Sequence, residues 1–236
     1  MIHLRSIVFV FLFYVWSVAF ALAMIPFLVL PGAWLTRALR LWSWGINLLL
    51  RLICGIRVEI RGREHVPTGD AIVAPKHQCM LDVFAQFGVL PDPFFVMKKE
   101  LIWVPLFGWY GVKMGALLVD RDGHAKALKK MVREALERFG KGDRQLLIFP
   151  EGTRGTPGVA GDYKPGIAAL YRELNVPVHP VATNSGVHWP AHGLLRKPGV
   201  IVFEYLEPIP AGLKRGEFMR ILEERIETAS TKLLSL

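Results

Sequence analysis

From Ser6 to Thr36 the chain carries no charged side chain; Arg5 lies on one side of that run, Arg37 and Arg40 on the other. A bilayer core takes about 20 apolar residues to cross, so this segment is expected to enter or span a membrane. Pro26 and Pro31 interrupt it, which predicts a bent or hairpin-like insertion. A second apolar segment, "LWSWGINLLLRLI", has Trp42 and Trp44 near its start, and Arg40 and Arg51 bracket its uncharged part. That composition suits an interfacial helix. The competing expectation is a secretory signal peptide, with Arg5 as its basic region and "ALA" at 21–23 as a cleavage site. The apolar run continues from Ile25 to Leu30, however, and favours an anchored helical pair. Residues 1–56 are therefore expected to form an N-terminal membrane anchor and residues 57–236 a folded domain.

A formal charge of +9 implies attraction to anionic membranes, acidic proteins or phosphorylated substrates. Beside a membrane segment, nucleic acid is not the expected partner. Cys54 and Cys79 lack metal-ligand spacing, and so few cysteines support neither a disulfide framework nor a zinc site. No metal is expected.

After Arg57 the pattern alternates between strands and helices. "RVEIR", "AIVAP", "FFVM", "ALLVD", "LLIF", "VPVHPVA" and "VIVFEYL" are rich in Val, Ile and Phe and read as strands. Leu128, Met131, Val132, Ala135, Leu136 and Phe139 recur at helical spacing. "KPGIAALYREL" predicts another helix with Pro165 in its first turn, and Phe218, Leu222, Ile226 and Leu233 form the stripe of a C-terminal one. The fold class is α/β: a single domain with a largely buried mixed sheet covered by helices, plus the N-terminal membrane-inserted helical segment.

Two stretches carry chemistry. "IVAPKHQCMLD" places His77 just past a buried strand and Asp82 five residues later. Five residues of regular helix turn a side chain by about 500°, off any common face, so the two meet only if His77 lies in the turn and Asp82 in the first helical turn. There the carboxylate would fix the imidazole tautomer and leave the other nitrogen as a general base. "FPEGTRG" follows the short apolar run "QLLIF" and puts Glu151 and Arg154 in a loop at a strand end, where open α/β sheets bind ligands.

Taken in order, "HQCMLD", "GALLVDR", "FPEGTRG" and "VPVHPVA" resemble the four blocks of the 1-acylglycerol-3-phosphate acyltransferase family, over roughly Lys76 to Ala182. The resemblance maps the family's His and Asp onto His77 and Asp82, its second-block arginine onto Arg121, and its third block onto Phe149–Arg154. Lys76 and Cys79 stand where the family often has Asn and Ser, Leu118 replaces an aromatic, and His179 sits in the fourth block.

The resemblance implies a membrane-bound acyltransferase catalytic domain over residues 57–236, moving a fatty acyl group from an acyl thioester to the free hydroxyl of 1-acylglycerol-3-phosphate to give phosphatidate. Acyl-CoA or acyl carrier protein would be the co-substrate, with no cofactor. His77 and Asp82 would be catalytic. Arg121, Glu151, Gly152, Thr153 and Arg154 would bind substrate, with Lys113 and Lys164 placed to assist. Arg suits a phosphate because its planar fork donates two hydrogen bonds at once. Glu151 would organise the arginines or bind substrate hydroxyls, and Gly152 would admit a close backbone approach. The partners are a lysophospholipid acceptor, the thioester donor and the membrane. The implied location is the inner (cytoplasmic) membrane, with the domain facing the cytoplasm. Rival readings are another lysolipid or an amino-acid-containing lipid as acceptor, an acyl-enzyme on Cys79, and a non-catalytic membrane-binding module.

Overall fold

The computed structural model describes residues 1–120, 124–139 and 142–236. Helix α1 (Ile2–Ala23) leads through a 3-10 turn (Ile25–Leu28) into α2 (Gly32–Leu49), so the helix breaks where Pro26 and Pro31 fall. A π-helical turn over Leu50–Cys54 then ends at Gly55. The two helices run antiparallel. The Arg5 carbonyl meets Cys54, and Trp16 lies so close to Gly45 that a Cβ there would sit 2.5 Å from the indole ring. Trp16 Nε1 donates to the Trp42 carbonyl at 3.1 Å, and Trp42 Nε1 to Ser17 Oγ at 3.3 Å.

The remainder alternates as the sequence pattern predicts. It runs β1 (Ile56–Arg61), β2 (Ala71–Pro75), α3 (Leu81–Phe87), β3 (Pro93–Lys98), α4 (Phe107–Lys113), β4 (Leu117–Val119), α5 (His124–Phe139), β5 (Gln145–Leu147), α6 (Pro165–Leu174), β6 (Val178–Thr183), α7 (Ser185–His188), β7 (Gly199–Tyr205) and α8 (Arg215–Leu233). The short helices α4 and α7 carry no periodicity legible in advance. The expected stripe on α8 is buried, whereas Leu136 of α5 lies on that helix's exposed flank.

The strands form a seven-stranded sheet in the order β1-β7-β6-β2-β5-β3-β4. Every neighbouring pair is parallel except β6 and β7. A parallel sheet is stable only when both faces are covered. Val73 turns toward a core shared with α1 to α4, while Ile72 and Ala74 turn toward one shared with α5, α6 and α8. Phe9 and Phe13 of α1 belong to the first of these cores, together with Phe84, Ile201 and Phe203. Burying a Phe contributes about 1.5–3 kcal/mol, so α1 is part of the folded body rather than a tether beside it.

Strands β2, β5, β3, β4 and β6 all point the same way, and their carboxyl ends meet at one edge. From that edge α3 leaves β2 on one face, while α6 follows β5 on the other. Between β2 and β5 the winding therefore changes sides, which is where open α/β sheets hold ligands.

Candidate active site

His77 stands in the turn after β2 and Asp82 in the first turn of α3, as the five-residue spacing requires. His77 Nδ1 lies 3.1 Å from Asp82 Oδ2. A carboxylate only accepts, so Nδ1 is the donor and, in the neutral ring, Nε2 carries the lone pair. Asp82 is fully buried but well supplied with donors. Its Oδ2 also accepts from Gln78 N at 2.5 Å and Cys79 N at 2.7 Å, and Ser185 Oγ donates to Oδ1. These donors hold the carboxylate on the imidazole.

The "FPEGTRG" loop closes over the same histidine from the end of β5. The Phe149 ring stacks on the His77 ring, with centroids 4.0 Å apart. Glu151 Oε2 accepts from His77 N at 2.8 Å, and Gly155 N donates to the His77 carbonyl at 2.8 Å. Gly152 has φ +66°, the left-handed conformation a glycine takes without strain. One loop thus fixes the histidine by its ring, its amide and its carbonyl. The ring stays partly open to solvent, at 16% of the side chain.

Glu151 is buried, and its other oxygen binds Lys76 Nζ at 2.9 Å. Lys76 is itself 1% exposed and donates at 2.7 Å to Glu227 of α8, which also accepts from Tyr163. Burial pushes the Glu151 carboxyl up, and the Lys76 ammonium opposes that shift. The described contacts of Glu151 are thus to Lys76 and to the His77 backbone. Arg154 is exposed and donates to the Ala191 carbonyl at 2.9 Å. Thr153 is exposed beside it, and Lys164 pairs with Asp162. Lys113 ends α4, half-buried, and no described contact joins it to His77. Arg121 lies outside the described residues.

Cys79 is buried, with Sγ 3.5 Å from Asp82 Oδ1. Burial, with the adjacent carboxylate second, pushes its thiol well above the usual range. A buried, protonated thiol is no nucleophile. Lys76 and Cys79, two departures from the resembled pattern, both point inward. The sequence reading missed Ser185, although it follows "VPVHPVATN" directly, and missed the ring of Phe149.

The family model described as Acyltransferase matches residues 57–184. The chain is 37% identical over 153 residues to the 1-acyl-sn-glycerol-3-phosphate acyltransferase of Pseudomonas aeruginosa, covering 65% of this chain and 59% of that protein. It is 31% identical over 196 residues to the protein so named from Limnanthes alba, covering 82% and 68%. The crystal structure of the 1-acyl-sn-glycerophosphate (LPA) acyltransferase PlsC from Thermotoga maritima superposes with a TM-score of 0.79 over 99% of both chains at 20% identity, a likeness of fold.

Proposed function

Because the chain belongs to the acyltransferase family, we propose that it moves a fatty acyl group from an acyl thioester to the free hydroxyl of 1-acylglycerol-3-phosphate, giving phosphatidate for phospholipid synthesis. The observation that carries the reading is His77, clamped by the "FPEGTRG" loop with Nδ1 on Asp82 and Nε2 left as base. The acceptor proposed is the one for which the relatives from Pseudomonas aeruginosa and Limnanthes alba are named. The inward placement of Lys76 and Cys79 supports it too, because these departures do not reshape a surface that substrate could touch.

His77 Nε2 takes the proton of the glycerol hydroxyl as that oxygen attacks the thioester carbonyl. The new C–O bond forms, the C–S bond breaks, and the imidazolium returns the proton to the leaving thiolate. A thioester is already activated, so no acyl-enzyme is needed. Arg154, exposed at the mouth of the site, binds the acceptor's phosphate with Arg121, Thr153 and the Gly152 backbone, and Lys113 assists. Acyl-CoA or acyl carrier protein is the donor.

The anchor, residues 1–56, lies along one leaflet rather than across the bilayer. Helix α1 is long and apolar enough to cross, yet it touches the domain at both ends and between. Ser6 accepts from Arg196 N at 2.8 Å, Phe9 packs on Trp189, Phe13 on Phe84, and Tyr110 OH donates to the Ala21 carbonyl at 2.6 Å. A crossing α1 would drag that flank through about 30 Å of hydrocarbon. Leu4, Ile7, Phe11, Val15, Val18 and Leu22 form an exposed stripe on its outer side, the face such a helix lays into lipid. The domain faces the cytoplasm at the inner membrane.

Purified protein with labelled acyl-CoA or acyl carrier protein and a panel of lysolipids tests the reading. Phosphatidate should be the main product, and Arg154→Ala should weaken use of the phosphate-bearing acceptor by about 10²-fold, as loss of hydrogen bonds to a charged group predicts. Preference for an acceptor without a phosphate monoester would overturn the acceptor. Equal loss on both kinds would remove Arg154 from phosphate binding.

A further inference from the structure

Among the described residues, the exposed large apolar side chains fall mainly in two stretches. One is the anchor, through Leu52. The other lies in the catalytic part of the chain: Leu101, Trp103, Val104, Phe107, Trp109 and Val112, with Trp103 85% exposed. Single exposed apolar residues are ordinary on a protein surface, whereas a contiguous patch marks a contact.

The backbone here is shaped to present that patch. After β3 the chain makes a 3-10 turn over Lys99–Trp103. A γ-turn follows at Leu106, with φ 65°, ψ −53° and Phe107 N donating to the Pro105 carbonyl at 2.7 Å. This turn with positive φ is rare and strained for a residue with a side chain. It lets Leu106 pack against the core while Val104 and Phe107 remain outside. In α4, Gly108, Tyr110 and Gly111 form the inner side, and a Cβ on Gly108 would meet the Ile102 carbonyl oxygen at 2.2 Å. Trp109 and Val112, three apart, share the outer side.

Two further observations say what covers it. The Tyr110 hydrogen bond to the Ala21 carbonyl fastens α4 to the end of α1, where exposed Leu22, Ile25 and Val29 continue the same surface. Cations flank the segment, with Lys98 and Lys99 before it and Lys113 after it, against the acid Glu100 beside Lys99 and Asp120, which lies 3.6 Å from Lys99 Nζ. Apolar bodies between Trp residues and basic flanks match the boundary of an anionic leaflet, with lipid tails beneath and phosphates at the rim.

We propose that Leu101–Val112 is a second membrane-inserted element, seated in the headgroup–acyl boundary of an anionic bilayer. It follows β3, so it leaves the sheet at the edge that carries His77, and it holds the site against the lipid surface from the side opposite β7. The proposal concerns membrane contact and stands whichever lipid the site acylates.

Trp103→Cys, labelled with a polarity-sensitive nitrobenzoxadiazole, reads it directly in the full chain bound to phosphatidylglycerol/phosphatidylethanolamine vesicles. Native Cys54 and Cys79 are buried and leave the introduced thiol as the labelling site. Leu136→Cys on α5 is the control. The 103 probe should shift to the blue, resist aqueous iodide and be quenched by lipids spin-labelled near the headgroup, while the 136 probe stays iodide-accessible. Equal iodide access at both positions would overturn the proposal. So would protection of the 103 probe by acyl carrier protein and not by vesicles. In a second measurement, Trp103→Ser with Trp109→Ser should raise KM for an acceptor in vesicles by about tenfold, as loss of interfacial apolar area weakens membrane binding, with kcat on a monomeric short-chain acceptor unchanged. An equal loss on both acceptors would assign the residues to folding instead.

Discussion

Lys76 Nζ lies 2.7 Å from Glu227 Oε1 and 2.9 Å from Glu151 Oε1, so the cation just before the candidate base is shared by the "FPEGTRG" loop and the C-terminal helix. The arrangement makes α8 part of the support of His77. Removing one partner from a buried ionic cluster strands the others, which costs about 3–5 kcal/mol.

Lys76→Met should therefore lower stability by about that amount at pH 7, read from urea unfolding in micelles. The pH dependence carries a definite sign. Burial already holds the Glu151 carboxyl above its unfolded value, so the folded chain binds the proton more tightly and this group's contribution falls as pH rises through that window. Without Lys76 the carboxyl rises further, and the variant should regain part of its stability as pH is lowered from 7 toward the unfolded carboxylate range. Glu227→Gln should cost less, because Glu227 is 19% exposed.

Asp82 faces four hydrogen-bond donors besides the Cys79 thiol, so Asp82→Asn would set an NH₂ group against at least one of them. The imidazole would lose its tautomer. We expect kcat to fall by about 10²–10⁴ with little change in KM, matching His77→Ala at the lower end. Ser185→Ala removes a donor to a charged group, worth about 1.5–3 kcal/mol, so the rate should fall by about tenfold or more. Initial rates over a range of acceptor concentrations separate the cases.

Cys79→Ala should stay active, since the thiol is buried and protonated. The native protein should also resist iodoacetamide at that position at pH 7, checked by peptide mass spectrometry after labelling. An acyl group trapped on Cys79 would replace direct transfer with a two-step route.

His179 of β6 is buried and donates from Nδ1 to the His65 carbonyl. Burial lowers its pKa from the usual 6.5, and the hydrogen bond to the His65 carbonyl opposes that only in part. A depressed histidine contributes stability above its unfolded pKa and loses it as pH falls through the folded value. Tm should accordingly drop on acidification below about 6.5, with a shallower slope in His179→Leu.

The sheet and the geometry of the His77–Asp82 pair were legible because they rest on local signals. Strands showed as short Val- and Ile-rich runs, and the spacing of His77 and Asp82 allowed one local geometry. Pro26 and Pro31 marked the break between the two N-terminal helices. The rest depended on long-range contacts. Lys76 was visible only as an odd residue in a block, because its partner Glu227 sits far along the chain on a helix whose readable stripe faces elsewhere. Glu151 was expected to serve arginines or substrate, yet its described partners are Lys76 and the His77 backbone. Helix α4 was unreadable for another reason: it is apolar on both sides, so no period separates core from surface.

Edge strand β1, which joins the N-terminal helices to the sheet, has β7 as its neighbour, and β7 is the last of the sheet's strands among the described residues. His77, Asp82, the "FPEGTRG" loop and Ser185 are all synthesised before the strand that pairs with β1 and ties the N-terminal helices to the sheet, while Glu227 follows it. During translation β1 therefore waits unpaired until its partner emerges, Ile56 pairing with Gly199 far along the chain. Such non-local pairing is slow. A ribosome-stalled chain ending before Gly199 should leave β1 open to protease, and extension past Tyr205 should protect it.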